Sequence, residues 1–143
     1  MNKFIEILLH LGEVEKSSEA TYSFSPSWTD EEFEIRVDEA WGRVGQCIYS
    51  TRDIPEEIRQ ELWVFLLLYN NRYLGCRVAM DDEGNIVLVS DVYPHQLFEN
   101  FVFEIISSMI VVGDALVTLV GQAARTGIIP GEADVDRAFT AAS

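Results

Sequence analysis

The chain has 143 residues, 48% apolar and 11% aromatic, with 24 Asp and Glu against 10 Lys and Arg for a formal charge of -14. That length suits one compact domain, and the apolar content excludes a disordered chain. The acidity excludes general nucleic-acid binding and attraction to an anionic membrane surface, because little basic charge is present to meet phosphates.

From the N-terminus, Phe4, Ile5, Leu8, Leu9 and Leu11 recur close to helical spacing and predict an amphipathic helix over 3–15. Glu6 interrupts this stretch and no small-residue cleavage site follows, so it does not read as a signal peptide. Residues 13–25 are polar and Ser-rich, a connection with a short strand at 21–24. Over 32–37, Phe33, Ile35 and Val37 alternate with charges, the clearest half-buried strand signature in the chain. A second strand is expected over 41–51, bent at Gly42 and Gly45. Asp53 and Glu56 stand at capping-box spacing around Pro55 and open a helix. Ile58, Leu62, Phe65, Leu66 and Tyr69 carry it to Asn70 and Asn71, and Trp63 and Leu67 widen its apolar stripe.

Two apolar-rich runs, 73–80 and 85–93, flank Asp81-Asp82-Glu83-Gly84 and predict a hairpin. Leu74, Cys76, Val78 and Met80 share one face of its first strand, and Ile86 and Leu88 face the same core from the second. Pro94 stops the sheet. A long helix follows over 95–124, with Gly113 a point of interruption, and Gly127, Pro130 and Gly131 end it. The expected architecture is α+β, an antiparallel sheet packed with helices in the order α-β-β(-β)-α-β-β-α. The expected organisation is a single domain over 1–126 and a loosely ordered tail over 127–143.

Catalytic chemistry is sparse. Cys47 and Cys76 sit in apolar, strand-like runs and read as buried thiols of a reducing cytosol. His10 and His95 have no ligand neighbour at helical spacing, and the acidic turn at 81–84 lacks the Gly and Glu register of a calcium loop. No phosphate-binding loop, nucleophile elbow or zinc-protease motif occurs. No catalytic residue, metal ligand or cofactor is expected.

The unusual feature is an apolar surplus. Residues 101–120 approach bilayer-spanning length, but Glu104 and Asp114 lie inside, each costing roughly 2.5–3.5 kcal/mol near a span centre. The stretch reads as a core or interface helix of a soluble protein. Apolar residues nonetheless cover nearly all sides of the expected 95–124 helix, and a helix of that length, about 45 Å, exceeds the width of a compact domain. Phe98, Phe101, Val102, Ile105, Met109 and Val112 are therefore the candidate interface residues, facing a second copy or another protein.

The run from Leu66-Leu67-Leu68-Tyr69-Asn70-Asn71 into Gly75-Cys76-Arg77-Val78-Ala79-Met80-Asp81-Asp82-Glu83-Gly84-Asn85-Ile86-Val87-Leu88 resembles the central segment of YbjN-type proteins. These belong to the broader group sharing the fold of type III secretion class I chaperones. A helix ending near Asn, a hairpin with an Asp/Gly tip, a long apolar helix and Ile54-Pro55 entering the preceding helix follow the same plan over roughly residues 30–125. The resemblance implies a type III secretion chaperone-like fold and a dimeric, non-enzymatic protein that holds an extended polypeptide segment against apolar patches, or a regulator. It carries over no specific binding residue.

The leading expectation is thus a cytoplasmic protein-binding module, chaperone-like or regulatory, acting as a homodimer through apolar helix and sheet surfaces. Its partner would be another protein or extended polypeptide, with neither nucleic acid nor membrane involved. Two alternatives stand beside it: an acidic immunity-type inhibitor of a basic enzyme, and a small ligand-binding or enzymatic domain using Cys47, Cys76 or His95.

Overall fold

The computed structural model describes residues 2–39, 41–70 and 75–143. In chain order these form α1 (Lys3–Leu11), β1 (Gly12–Lys16), β2 (Thr21–Pro26), β3 (Phe33–Val37), β4 (Gly42–Ser50), α2 (Arg59–Leu68), β5 (Arg77–Met80), β6 (Asn85–Val92), α3 (Glu99–Thr126) and α4 (Glu132–Ala142). The six strands make one antiparallel sheet in the order β1-β2-β3-β4-β6-β5, so β1 and β5 are its edges. The α+β expectation holds, with one strand and one helix more than the expected order.

Two compact units divide the chain, Met1–Gln46 with Val89–Ser107 and Cys47–Leu88 with Ser108–Ser143. In the first unit, Asn2 caps α1, its side-chain oxygen accepting from the Phe4 and Ile5 N–H groups at 2.8 and 3.3 Å. Phe4, Ile5, Ile7, Leu8 and Leu11 are its buried stripe. The helix stops four residues short of the expected 15, because Gly12 leaves helical geometry and pairs with Pro26 at the head of β1. Glu13 to Lys16, read from sequence as connection, continue β1 in register with Ser25 to Tyr22. The polarity that hid this strand is that of an edge with few buried side chains. β3 behaves as its alternation predicts, with Phe33 and Ile35 buried and Glu34 and Arg36 exposed. Arg43 on β4 donates to Asp91 on β6 at 2.7 Å and lies over the Trp41 ring.

In the second unit, the expected capping box at Asp53 and Glu56 does not form. Residues 51–53 and 56–58 are short 3-10 turns without side-chain caps, separated by extended Ile54 and Pro55, and α2 starts at Arg59. The Arg59 Nε instead donates to the Ile54 carbonyl at 2.9 Å. Asn70 Oδ1 accepts from the Val78 N–H at 2.7 Å, binding the chain after α2 to β5. The expected strand start at Tyr73 and Leu74, and Asn71, lie outside the described residues. The hairpin forms as expected: Asp81 N–H donates to the Asn85 carbonyl at 3.0 Å and Gly84 takes φ +80°. Ile86, Leu88 and Val78 are buried, whereas Met80 at the end of β5 is exposed.

α3 is 28 residues long, about 42 Å, and passes through Gly113 without a break. Gly113 is buried there. Gly127, at φ +69°, ends the helix with its N–H on the Ala123 carbonyl at 2.9 Å. Beyond it, the segment expected as a loose tail holds α4, whose Val135 and Ala138 are buried. Asp134 closes the N-terminal turn of α4 by accepting from the Gly131 N–H at 2.8 Å.

Candidate protein-binding surface

The reactive side chains are occupied individually. His10 Nδ1 lies 3.5 Å from Glu99 Oε2, and the His95 ring stacks on Tyr93. Burial pushes the Cys76 thiol up to about 12, so its nucleophilic thiolate is suppressed at neutral pH. Cys47 is exposed rather than buried as expected, and its thiol is also raised, by partial burial first and then by the Asp81 and Glu83 carboxylates. Asp81 serves the hairpin, accepting from the N–H groups of Glu83 and Asn85. Among the described residues no group of three or more His, Cys, Asp or Glu is placed to hold a metal ion.

The six candidate interface residues separate clearly. Val102, Ile105, Met109 and Val112 are buried in the protein's own interior. Phe101 is half-buried, and Phe98, just before α3, is 65% exposed. By length and composition α3 is able to cross a bilayer, and 44% of its most apolar window is buried inside the protein.

Phe98 opens onto a groove of ≈ 570 Å³ in the first unit, lined by Lys3, Glu6, Ile7 and His10 of α1 and by Leu97, Glu99 and Asn100. Helical spacing put Ile7 and His10 on neighbouring turns of α1, but only the fold sets them opposite residues 97–100. Trp28, in the β2–β3 connection, packs on Phe103 of α3 with ring centroids 4.8 Å apart, and both rings remain partly exposed.

A further apolar face lies in the second unit. Leu62, Phe65 and Leu66 turn α2 inward, while Val64, Leu67 and Leu68 point outward, Leu68 with 71% of its surface free. Trp63 lines a small cavity of ≈ 40 Å³ with Thr51, Ile54, Arg59, Leu62, Met80 and Ile86. The widened stripe was visible in the sequence as Trp63 and Leu67. That Leu68 joins it was not, because a fully apolar Leu66-Leu67-Leu68 run has no readable phase.

This arrangement of sheet and helices has structural relatives. The fold matches that of type III secretion chaperones. One is the chaperone SpcU in the heterodimeric complex ExoU-SpcU of the Pseudomonas aeruginosa type III secretion system, at TM-score 0.65 and 17% identity, covering 82% of this chain and 97% of that one. Another is ExsC in the ExsC-ExsE complex, at TM-score 0.62 and 11% identity, covering 84% and 97%. The Yersinia pestis type III secretion chaperone SycH, in complex with a stable fragment of YscM2, aligns at TM-score 0.55 and 14% identity, covering 80% and 96%. No protein-family model and no curated protein matches the chain in sequence, so the resemblance to YbjN-type proteins stands on its quoted residues alone.

Proposed function

We propose that this chain is a non-enzymatic, cytoplasmic protein-binding module of the secretion-chaperone type, acting as a chaperone or regulator. The observation that carries this reading is the alignment over nearly the whole length of chaperones whose structures hold a bound protein or protein fragment. Exposed apolar groups around Phe98 and on the outer face of α2 support it, since such patches on small domains mark interaction sites. Homodimerisation belongs to the same reading, and the α2 face with Val64, Leu67 and Leu68 is the surface it would bury. The charge of -14 favours a second reading, an acidic inhibitor that masks a basic enzyme.

Recovery of the tagged chain from cells that express it naturally, at low and at high salt, separates the two. A chaperone-type apolar interface retains its partner at high salt, whereas recognition by the acidic surface releases it. Light scattering on the purified chain, free of partner, is expected to give twice the 16.2 kDa chain mass. A monomer that retains no protein at either salt would overturn the reading.

A further inference from the structure

Ten Lys and Arg stand against 24 Asp and Glu, yet two of the ten face each other across neighbouring strands of the first unit. Arg36 of β3 and Arg43 of β4 are direct partners in the antiparallel register, and Thr21 of β2 pairs with Arg36 on its other side. Partners in such a register lie about 4.5–5.5 Å apart at Cα and send their side chains to the same face of the sheet. That face is turned away from the core, because Ile35 and Val44, next along each strand, are fully buried on the opposite one. Like charges placed directly opposite destabilise a sheet. Here each guanidinium meets a carboxylate at one end: Arg36 Nε donates to Glu34 Oε1 at 3.2 Å, and Arg43 Nε to Asp91 Oδ1 at 2.7 Å. Arg43 also rests on the Trp41 ring, its guanidinium carbon 5.3 Å from the centroid, which fixes its direction. The terminal amino groups of both forks make no hydrogen bond among the described residues. Of five N–H donors on each guanidinium, four therefore remain to be met.

We infer that the row Thr21, Arg36 and Arg43 is a seat for a phosphate monoester. A tetrahedral phosphate offers three acceptor oxygens and close to two negative charges at neutral pH, so it accepts from both forks and from the Thr21 hydroxyl together. A lone carboxylate brings one charge and two oxygens to guanidinium groups that Glu34 and Asp91 already serve, and it gains little by comparison. The chain's -14 does not keep the ester away, since charges beyond about 8 Å are screened at physiological ionic strength while the two guanidinium groups act at contact. A phosphorylated side chain of a polypeptide and a free small-molecule ester present this same group. The seat is separate from the apolar faces described above, and its failure would leave the protein-binding reading untouched.

The test titrates the full ¹⁵N-labelled chain at physiological ionic strength and follows the Arg Nε–Hε resonances by NMR. The probes are phenyl phosphate and a Gly/Ala peptide carrying one phosphoserine; the controls are the same peptide with Glu in that place, and sulfate. Saturable shifts of Arg36 and Arg43 are expected with both phosphorylated probes, and binding of the Glu peptide about tenfold weaker or less. Equal affinity for the two probes assigns the phosphate group alone as the ligand, and a tighter peptide assigns a phosphorylated polypeptide. Arg36→Gln is expected to weaken binding by about tenfold, the loss of one charge-assisted contact. Arg43→Lys, which keeps the charge and loses the fork, is expected to weaken it as well. Glu34→Gln is expected to tighten it, because that carboxylate competes for Arg36. Arg52→Gln, an exposed cation of the second unit, is expected to leave it unchanged. Arg36 and Glu34 are exposed, and matching thermal melts verify that their variants fold. Shifts that do not saturate, equal binding of sulfate or of the Glu peptide, or unchanged affinity in Arg36→Gln would overturn the inference.

Discussion

Asp81 shows how one side chain organises a turn and ties it to pH. Its carboxylate accepts from the Asn85 N–H at 2.8 Å, the Glu83 N–H at 2.9 Å and the Asn85 Nδ2 at 3.0 Å. These bonds, the one from the Asn85 backbone foremost, hold its pKa below the usual carboxylate value. A folded pKa below the unfolded one means the stabilisation is complete above the ordinary value of about 3.9 and is lost as pH falls through the depressed folded value. Asp81→Ala is expected to cost about 1 kcal/mol at neutral pH, since the bonds are charge-assisted but solvent-exposed. The gap between variant and native protein should close as pH falls through that window. Urea unfolding at neutral and acidic pH measures it, and a gap that stays constant with pH would contradict the linkage. The acidic residues and the Gly of this turn were legible in sequence; which carboxylate does the capping emerged from hydrogen-bond geometry.

At the scale of elements, close approach matters more than propensity. A Cβ on Gly42 at the head of β4 would lie 2.1 Å from Cδ2 of Phe4, whose ring is fully buried under α1. The sequence offered Gly42 as a bend in the strand, but β4 runs on from it to Ser50 and the glycine makes room for the α1 core. Gly42→Ala is therefore expected to destabilise by roughly 1–3 kcal/mol through overpacking. Pairing it with Phe4→Leu should recover part of that loss in thermal melts; no recovery would mean the ring is not the obstacle. The same scale explains what local pattern missed. β1 is polar because it is an edge, and α4 alternates too little apolar character to be seen without the surface that Val135 and Ala138 meet. The α2 start was mistaken because Asp53 and Glu56 had capping spacing while Ile54 and Pro55 adopt extended geometry.

For the whole molecule, charge is the dominant long-range feature. With -14 on 143 residues and few ion pairs described, folding concentrates like charges that the unfolded chain spreads apart. Thermal stability is expected to rise with added sodium chloride from low to physiological ionic strength, because screening relieves this repulsion. A melting temperature that falls over that range would show that the ion pairs, Arg43–Asp91 above all, outweigh the repulsion.

Period-2 alternation at Phe33, Ile35 and Val37, the acidic Gly-containing hairpin and the long apolar run before Gly127 determined the α+β class from sequence alone, since each is a local pattern of backbone geometry and apolar spacing. The exposed apolar surface was not local. Six apolar residues from Phe98 to Val112 looked equivalent along the chain, yet Val102, Ile105, Met109 and Val112 became core while Phe98 stayed at the surface. Trp28 and Phe103, and Ile7 and Leu97, are distant in sequence and adjacent only after folding. Which apolar faces are covered depends on what packs over them, and the elements that do so lie far apart along the chain, so tertiary structure alone decided it.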